Sequence, residues 1–125
     1  MIKVLYVEDD KINRLVLDRY LHEDFDVTMA ATSGDALKLM KEGEFDVVLL
    51  DINLGIDDLD GIALLKQMRK EFPSVDSRFI AVTAFAGSGE EQEIIKVGFD
   101  AYHAKPVDKW SLIDQIKAEN AKRSH

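Results

Sequence analysis

Five residues of this chain carry the chemistry of a site, and they stand where apolar runs stop. Glu8 and Asp9 follow Ile2 to Val7, Asp51 follows Val47 to Leu50, Thr83 follows Phe79 to Val82, and Lys105 follows Ala101 to Ala104. An apolar run that ends at a carboxylate, hydroxyl or ammonium reads as a buried strand delivering one group to its carboxyl end. Two carboxylates roughly 4 Å apart repel by about 4 kcal/mol at an effective dielectric near 20, so Glu8, Asp9 and Asp51 need a counter-charge if they converge. A donor set of oxygens only, without His or Cys, selects a hard divalent ion, and Mg²⁺ with retained waters fits it best. Lys105 adds a fixed point charge and Thr83 a hydroxyl donor. Around the lone carboxylate of Asp51 this set suits stabilisation of a phosphoryl group, with Asp51 as nucleophile.

The elements that must position these groups alternate along the whole chain. Strands are expected at Ile2–Val7, Val27–Ala30, Asp46–Leu50, Arg78–Val82 and Ala101–Ala104. Helices are expected over Lys11–His22, with Ile12, Leu15, Val16 and Tyr20 as its apolar face, and from an N-cap at Ser33 to Lys41, with Gly43 as terminator. Three more follow: Gly61–Phe72, with a stripe of Ile62, Leu65, Met68 and Phe72 closed by Pro73; Glu90–Val97, followed by Gly98; and Lys109–Ala121, which buries Leu112, Ile113 and Ile116. Strict strand–helix alternation implies an α/β fold: a doubly wound, five-stranded parallel sheet, flavodoxin-like with strand order 2-1-3-4-5, and five helices on its two faces. Such a sheet binds ligand at the carboxyl ends of its strands. All five chemical residues fall on that edge.

Composition bounds the alternatives. A chain of 125 residues, 46% hydrophobic and 32% charged, is one domain able to close a core. With no cysteine there is neither a disulfide framework nor a thiolate metal site. No apolar stretch approaches the roughly 20 residues of a membrane span, and the amino terminus runs into acid instead of a cleavage site; a cytoplasmic location is expected. A net charge of −8 argues against direct nucleic-acid binding. Lys122 and Arg123 read as complements to the dipole of the last helix.

The order of motifs resembles the receiver domain of two-component response regulators over essentially the whole chain. The matching segments are Val-Leu-Tyr-Val-Glu-Asp-Asp at 4 to 10, Asp-Val-Val-Leu-Leu-Asp at 46 to 51, Asp-Gly at 60 and 61, Val-Thr-Ala at 82 to 84, and Gly-Phe-Asp-Ala-Tyr-His-Ala-Lys-Pro at 98 to 106. The resemblance implies that Asp51 accepts a phosphoryl group from a phosphohistidine on a sensor histidine kinase or histidine phosphotransfer protein. It implies Mg²⁺, or Mn²⁺ in its place, on Asp9, on Glu8 through water, on Asp51 and on the backbone carbonyl of Asn53. Thr83 and Lys105 would bond phosphoryl oxygens, Tyr102 would be the rotating aromatic, and Lys105–Pro106 would be a cis peptide. Phosphorylation would draw Thr83 inward, let Tyr102 follow, and alter the surface of the fourth helix, fifth strand and fifth helix. That surface would be read by a downstream protein target or pair with a second copy. The domain would catalyse only its own phosphorylation from a donor and its slow dephosphorylation.

Departures from the family pattern fall beside the site. Gly55 stands where much of the family has Pro, in a slightly longer loop, and loosens it. Asp57 and Asp58 add charge there, and Phe85, two residues past Thr83, is placed either to screen the phosphoryl from water or to pack on the following loop. His22, His103 and His125 are not spaced as ligands or bases. Trp110 reads as an anchor of the last helix. The chain is expected to be a stand-alone receiver or one part of a larger regulator or hybrid kinase. An enzyme alternative, a haloacid-dehalogenase-like Mg²⁺ phosphohydrolase, would want an Asp where Asn53 stands. A receiver-shaped module that is never phosphorylated would have no need of the acidic cluster.

Overall fold

The computed structural model describes residues 1–52, 61–84 and 90–123. Five strands, β1 (Lys3–Val7), β2 (Asp26–Ala30), β3 (Val47–Asp51), β4 (Arg78–Thr83) and β5 (Ala101–Ala104), alternate with α1 (Lys11–Leu21), α2 (Ser33–Glu42), α3 (Gly61–Glu71), α4 (Glu90–Lys96) and α5 (Lys109–Ala121). All neighbouring strands pair in parallel, in the order β2-β1-β3-β4-β5. This is the expected doubly wound sheet.

Side chains alternate across the sheet with a period of two, so each strand feeds two cores. Leu5, Val7, Val48, Leu50, Phe79 and Ala81 face Ala36 and Met40 of α2, Leu64, Leu65 and Met68 of α3, and Ile94 of α4. Val4, Tyr6, Val47, Leu49, Ile80 and Val82 face Leu17 and Leu21 of α1 and Leu112, Ile113 and Ile116 of α5. Every residue of β3 is buried, as a central strand covered on both faces must be. Among the described residues no helix is long and apolar enough to cross a membrane.

The helices depart from the sequence expectations in four places. The buried stripe of α1 is Leu17 and Leu21, whereas Ile12, Leu15 and Val16 are exposed and Tyr20 is partly buried; the helix is rotated so that its i, i+4 pair faces the sheet. The N-cap of α2 is Thr32, whose hydroxyl accepts from the Asp35 amide, while Ser33 is the first helical residue and buried. Trp110 is 65% exposed with the Lys109 ammonium over its ring, so the apolar contacts of α5 with the sheet come from Leu112, Ile113 and Ile116. Arg123 does not serve the helix dipole: it pairs with Asp46, at the entry to β3, and with Asp76.

Candidate phosphoacceptor site

Asp51 and Thr83 are the last residues of their strands, so ladder hydrogen bonds fix their backbones. Asp51 lies in register with Val82, and Thr83 with Ala104. The Ile52 amide donates to the Val82 carbonyl at 3.2 Å, and the Lys105 amide to the Thr83 carbonyl at 2.8 Å. On the other side of β3, the Glu8 amide extends the β1–β2 ladder by donating to the Ala30 carbonyl. The sheet thus brings Glu8, Asp51, Thr83 and Lys105 to one edge.

Asp51 is 1% exposed, and its Oδ2 accepts from Lys105 Nζ at 2.5 Å. Lys105 precedes Pro106 through a cis peptide bond. Glu8 is also buried, within hydrogen-bond reach of Asp51. Burial, followed by the hydrogen bond and the charge of Asp51, pushes the Glu8 carboxyl up to about 8. Tyr6 lies deeper on the same side, and burial, then the charges of Glu8 and Asp51, push its phenol far up as well. Asp9 is exposed on the rim. Thr83 is fully buried. Tyr102 is partly buried and packs on the core face that carries Ile94, whereas His103 points the other way, where its Nδ1 lies 2.7 Å from Gln115 Oε1.

Besides the Asp10 amide, four residues to which the sequence reading gave no role act at the site. Asn13 Nδ2 and the Asp10 amide donate to Glu8 Oε1, Arg14 Nη1 donates to the Glu8 carbonyl, and Tyr6 Oη faces Glu8 Oε2. The signal for Tyr6 was a phenol inside an otherwise aliphatic strand; Asn13 and Arg14 sit unmarked in the first turn of α1. Gly61 is the fourth. A Cβ there would stand 2.6 Å from the Asp51 carbonyl oxygen and 2.7 Å from Ile52 Cα, so the start of α3 abuts the end of β3 only because residue 61 has no side chain. Asn53, Gly55, Asp57, Asp58, Asp60, Phe85 and His125 lie outside the described residues.

The donor set fits a hard divalent cation. The buried Asp51 has the Lys105 ammonium while the Glu8 carboxyl beside it, pushed up to about 8, marks a place where positive charge is wanted. Among the described residues no group of three or more His, Cys, Asp or Glu could hold a metal ion; Mg²⁺ is an ion bound through one or two carboxylates with several waters.

A parallel doubly wound domain with a buried aspartate paired to a lysine at its carboxyl edge defines the class of the protein. Residues 4–117 match the family model of the response regulator receiver domain, and the chain belongs to that family. This assignment replaces the phosphohydrolase alternative. The chain is 32% identical to the polar-differentiation response regulator DivK of Brucella ovis over 116 residues, covering 92% of this chain and 93% of DivK. It is 29% identical over 119 residues to the response regulator VraR of Staphylococcus saprophyticus, covering 93% of this chain but spanning only 55% of VraR. Among solved structures, the receiver domain of the Francisella response regulator 1452 superposes with a TM-score of 0.87 at 29% identity, covering 98% of each chain. The receiver domain of a Pseudomonas aeruginosa sensor histidine kinase, solved with a magnesium ion in its active-site cleft, has a TM-score of 0.84 at 26% identity, covering 96% of this chain and 98% of its own. The receiver domain of the Saccharomyces cerevisiae regulator Ssk1, solved with the histidine phosphotransfer protein Ypd1, has the same TM-score and identity, covering 96% of this chain and 89% of its own. Receiver domains are signalling domains and not enzymes in the ordinary sense.

Proposed function

We propose that Asp51 accepts a phosphoryl group from a phosphohistidine on a sensor histidine kinase or histidine phosphotransfer protein, with Mg²⁺ held by Glu8, Asp9, Asp51 and the Asn53 carbonyl. The observation that carries this reading is the buried Asp51 carboxylate, held by Lys105 at 2.5 Å with Glu8 beside it. A carboxylate oxygen of Asp51 attacks phosphorus, the P–N bond to the imidazole breaks, and the leaving nitrogen keeps the electron pair. Lys105 orients the nucleophile and then balances charge on the phosphoryl oxygens, and the Thr83 hydroxyl donates to one of them. Bound Mg²⁺, or Mn²⁺ in its place, neutralises charge on the reacting oxygens. The magnesium in the Pseudomonas receiver and the pairing of Ssk1 with a phosphotransfer protein support the assignment.

Phosphorylation adds about −1.5 to −2 charge. In this reading Thr83 moves toward it and Tyr102, two strand positions from Ala104, turns inward. The surface of α4, β5 and α5 changes, and a cytoplasmic protein target or a second copy of the domain reads it. Intact mass after incubation with Mg²⁺ and acetyl phosphate tests the acceptor role. One base-labile phosphoryl addition is expected, absent with a chelator and in Asp51→Asn. An addition that persists in Asp51→Asn would place the acceptor elsewhere.

A further inference from the structure

We propose that Asn13 and Tyr6 are positioning residues that hold the Glu8 carboxylate in the orientation a divalent cation needs; this deepens, and rests on, the phosphoacceptor reading. A glutamate carries one more rotatable bond than an aspartate, so at a strand end its carboxylate samples more directions and loses more entropy when it is fixed. Here it is gripped from both sides. Oε1 accepts from the Asp10 amide at 3.2 Å and from Asn13 Nδ2 at 3.3 Å, and the Glu8 carbonyl accepts from Arg14 Nη1 at 2.7 Å. From the β1 side the Tyr6 hydroxyl reaches Oε2 at 3.4 Å. Two N–H donors on one oxygen resist rotation of the carboxylate and leave the other oxygen on the side of Tyr6.

The placement of the two residues agrees with that role. Tyr6 is 1% exposed, so its hydroxyl has little access to water and the Glu8 carboxylate is its hydrogen-bond partner. Tyr6, Asn13, Lys105 and Pro106 line one 230 Å³ cavity behind the site, so the collar around Glu8 and the stem of the lysine that holds Asp51 share a wall. Groups that orient a metal ligand without touching the metal typically change affinity about 10- to 100-fold when removed.

The test is a double-mutant cycle on Mg²⁺ affinity, measured by calorimetry on the whole chain, with melting in chelator reporting the metal-free fold. Asn13→Ala is expected to weaken Mg²⁺ binding by about tenfold in the wild-type background. In the Glu8→Asp background, whose shorter carboxylate does not reach Asn13, the loss should fall below about twofold, because the collar then has nothing to hold. Tyr6→Phe should follow the same pattern with a smaller loss, and the metal-free melting temperature should not track either effect. Equal losses in both backgrounds, or no loss in the wild type, would overturn the positioning role while leaving the acceptor reading intact. A wild-type chain that binds no Mg²⁺ would overturn the acceptor reading and this one with it.

Discussion

Glu8 shows how a neighbourhood can hold a residue away from its ordinary charge state. Buried next to Asp51, it keeps a proton up to about pH 8, whereas a glutamate in an unfolded chain loses it near 4.5. Between those values the folded, metal-free protein binds more protons than the unfolded chain, so its stability falls as pH rises through the window and levels off above about 8. Under the proposed assignment a cation would take the place of that proton, so apparent Mg²⁺ affinity should rise over the same interval and then flatten. Denaturant titrations with and without Mg²⁺ at the two ends of the window check both signs: the metal-free chain should be more stable at the acidic end, and the gain from Mg²⁺ larger at the basic end. A gain independent of pH would mean that Glu8 is not the group that gives up its proton to the ion.

At the scale of elements, the site depends on how closely α3 approaches β3. Gly61 opens α3 against the backbone of Asp51, and a methyl group there meets main-chain atoms that have nowhere to move without shifting Asp51 itself. Gly61→Ala should therefore cost about 1–3 kcal/mol, in the range of overpacking a filled core, and should slow phosphorylation by acetyl phosphate more than the stability loss alone explains. Chemical denaturation set beside the rate of mass gain separates the two effects. A different tie governs the far edge of the sheet. Gln115 Nε2 donates to the Tyr102 carbonyl at 2.8 Å while its Oε1 meets His103, so one side chain of α5 binds the backbone of β5 next to the aromatic assigned to the switch.

Among the described residues, buried acids and paired charges gather at opposite ends of the sheet. The carboxyl edge concentrates acids that want a cation. At the amino edge, acids and bases are paired: Arg123 with Asp46 and Asp76, Arg78 with Glu119 and Asp100, and Asp46 with the Lys3 amide at 2.7 Å. The Arg123 side chain is 15% exposed, so its pairs are less screened than surface ones and tie the end of α5 to the start of β3. Arg123→Ala should lower stability by about 1–3 kcal/mol, because Asp46 and Asp76 lose a charged partner. The increment in melting temperature given by Mg²⁺ should stay unchanged, since the site is at the other end. A variant that lost Mg²⁺ binding along with stability would show that the two ends are coupled.

Strand order, element count and the residues at the carboxyl edge were legible in the chain because each rests on a local pattern: an apolar run, its length, and the polar residue that ends it. The same local logic placed Leu112, Ile113 and Ile116 in the core. It failed where two apolar faces compete. In α1, Ile12, Leu15 and Val16 form as good a stripe as Leu17 and Leu21, and only packing on β1 and α5 chooses between them. Trp110 was misplaced for the same reason, since bulk and apolarity do not tell which side of a helix meets the sheet. The collar on Glu8, the fit of Gly61 under Asp51 and the clamp from Arg123 to Asp46 join residues whose separation in the chain says nothing of their distance in space. Sequence alone determined which chemical groups reach the edge of the sheet. Tertiary structure decided how they are oriented and what their burial does to their charge, because both depend on neighbours supplied by other elements.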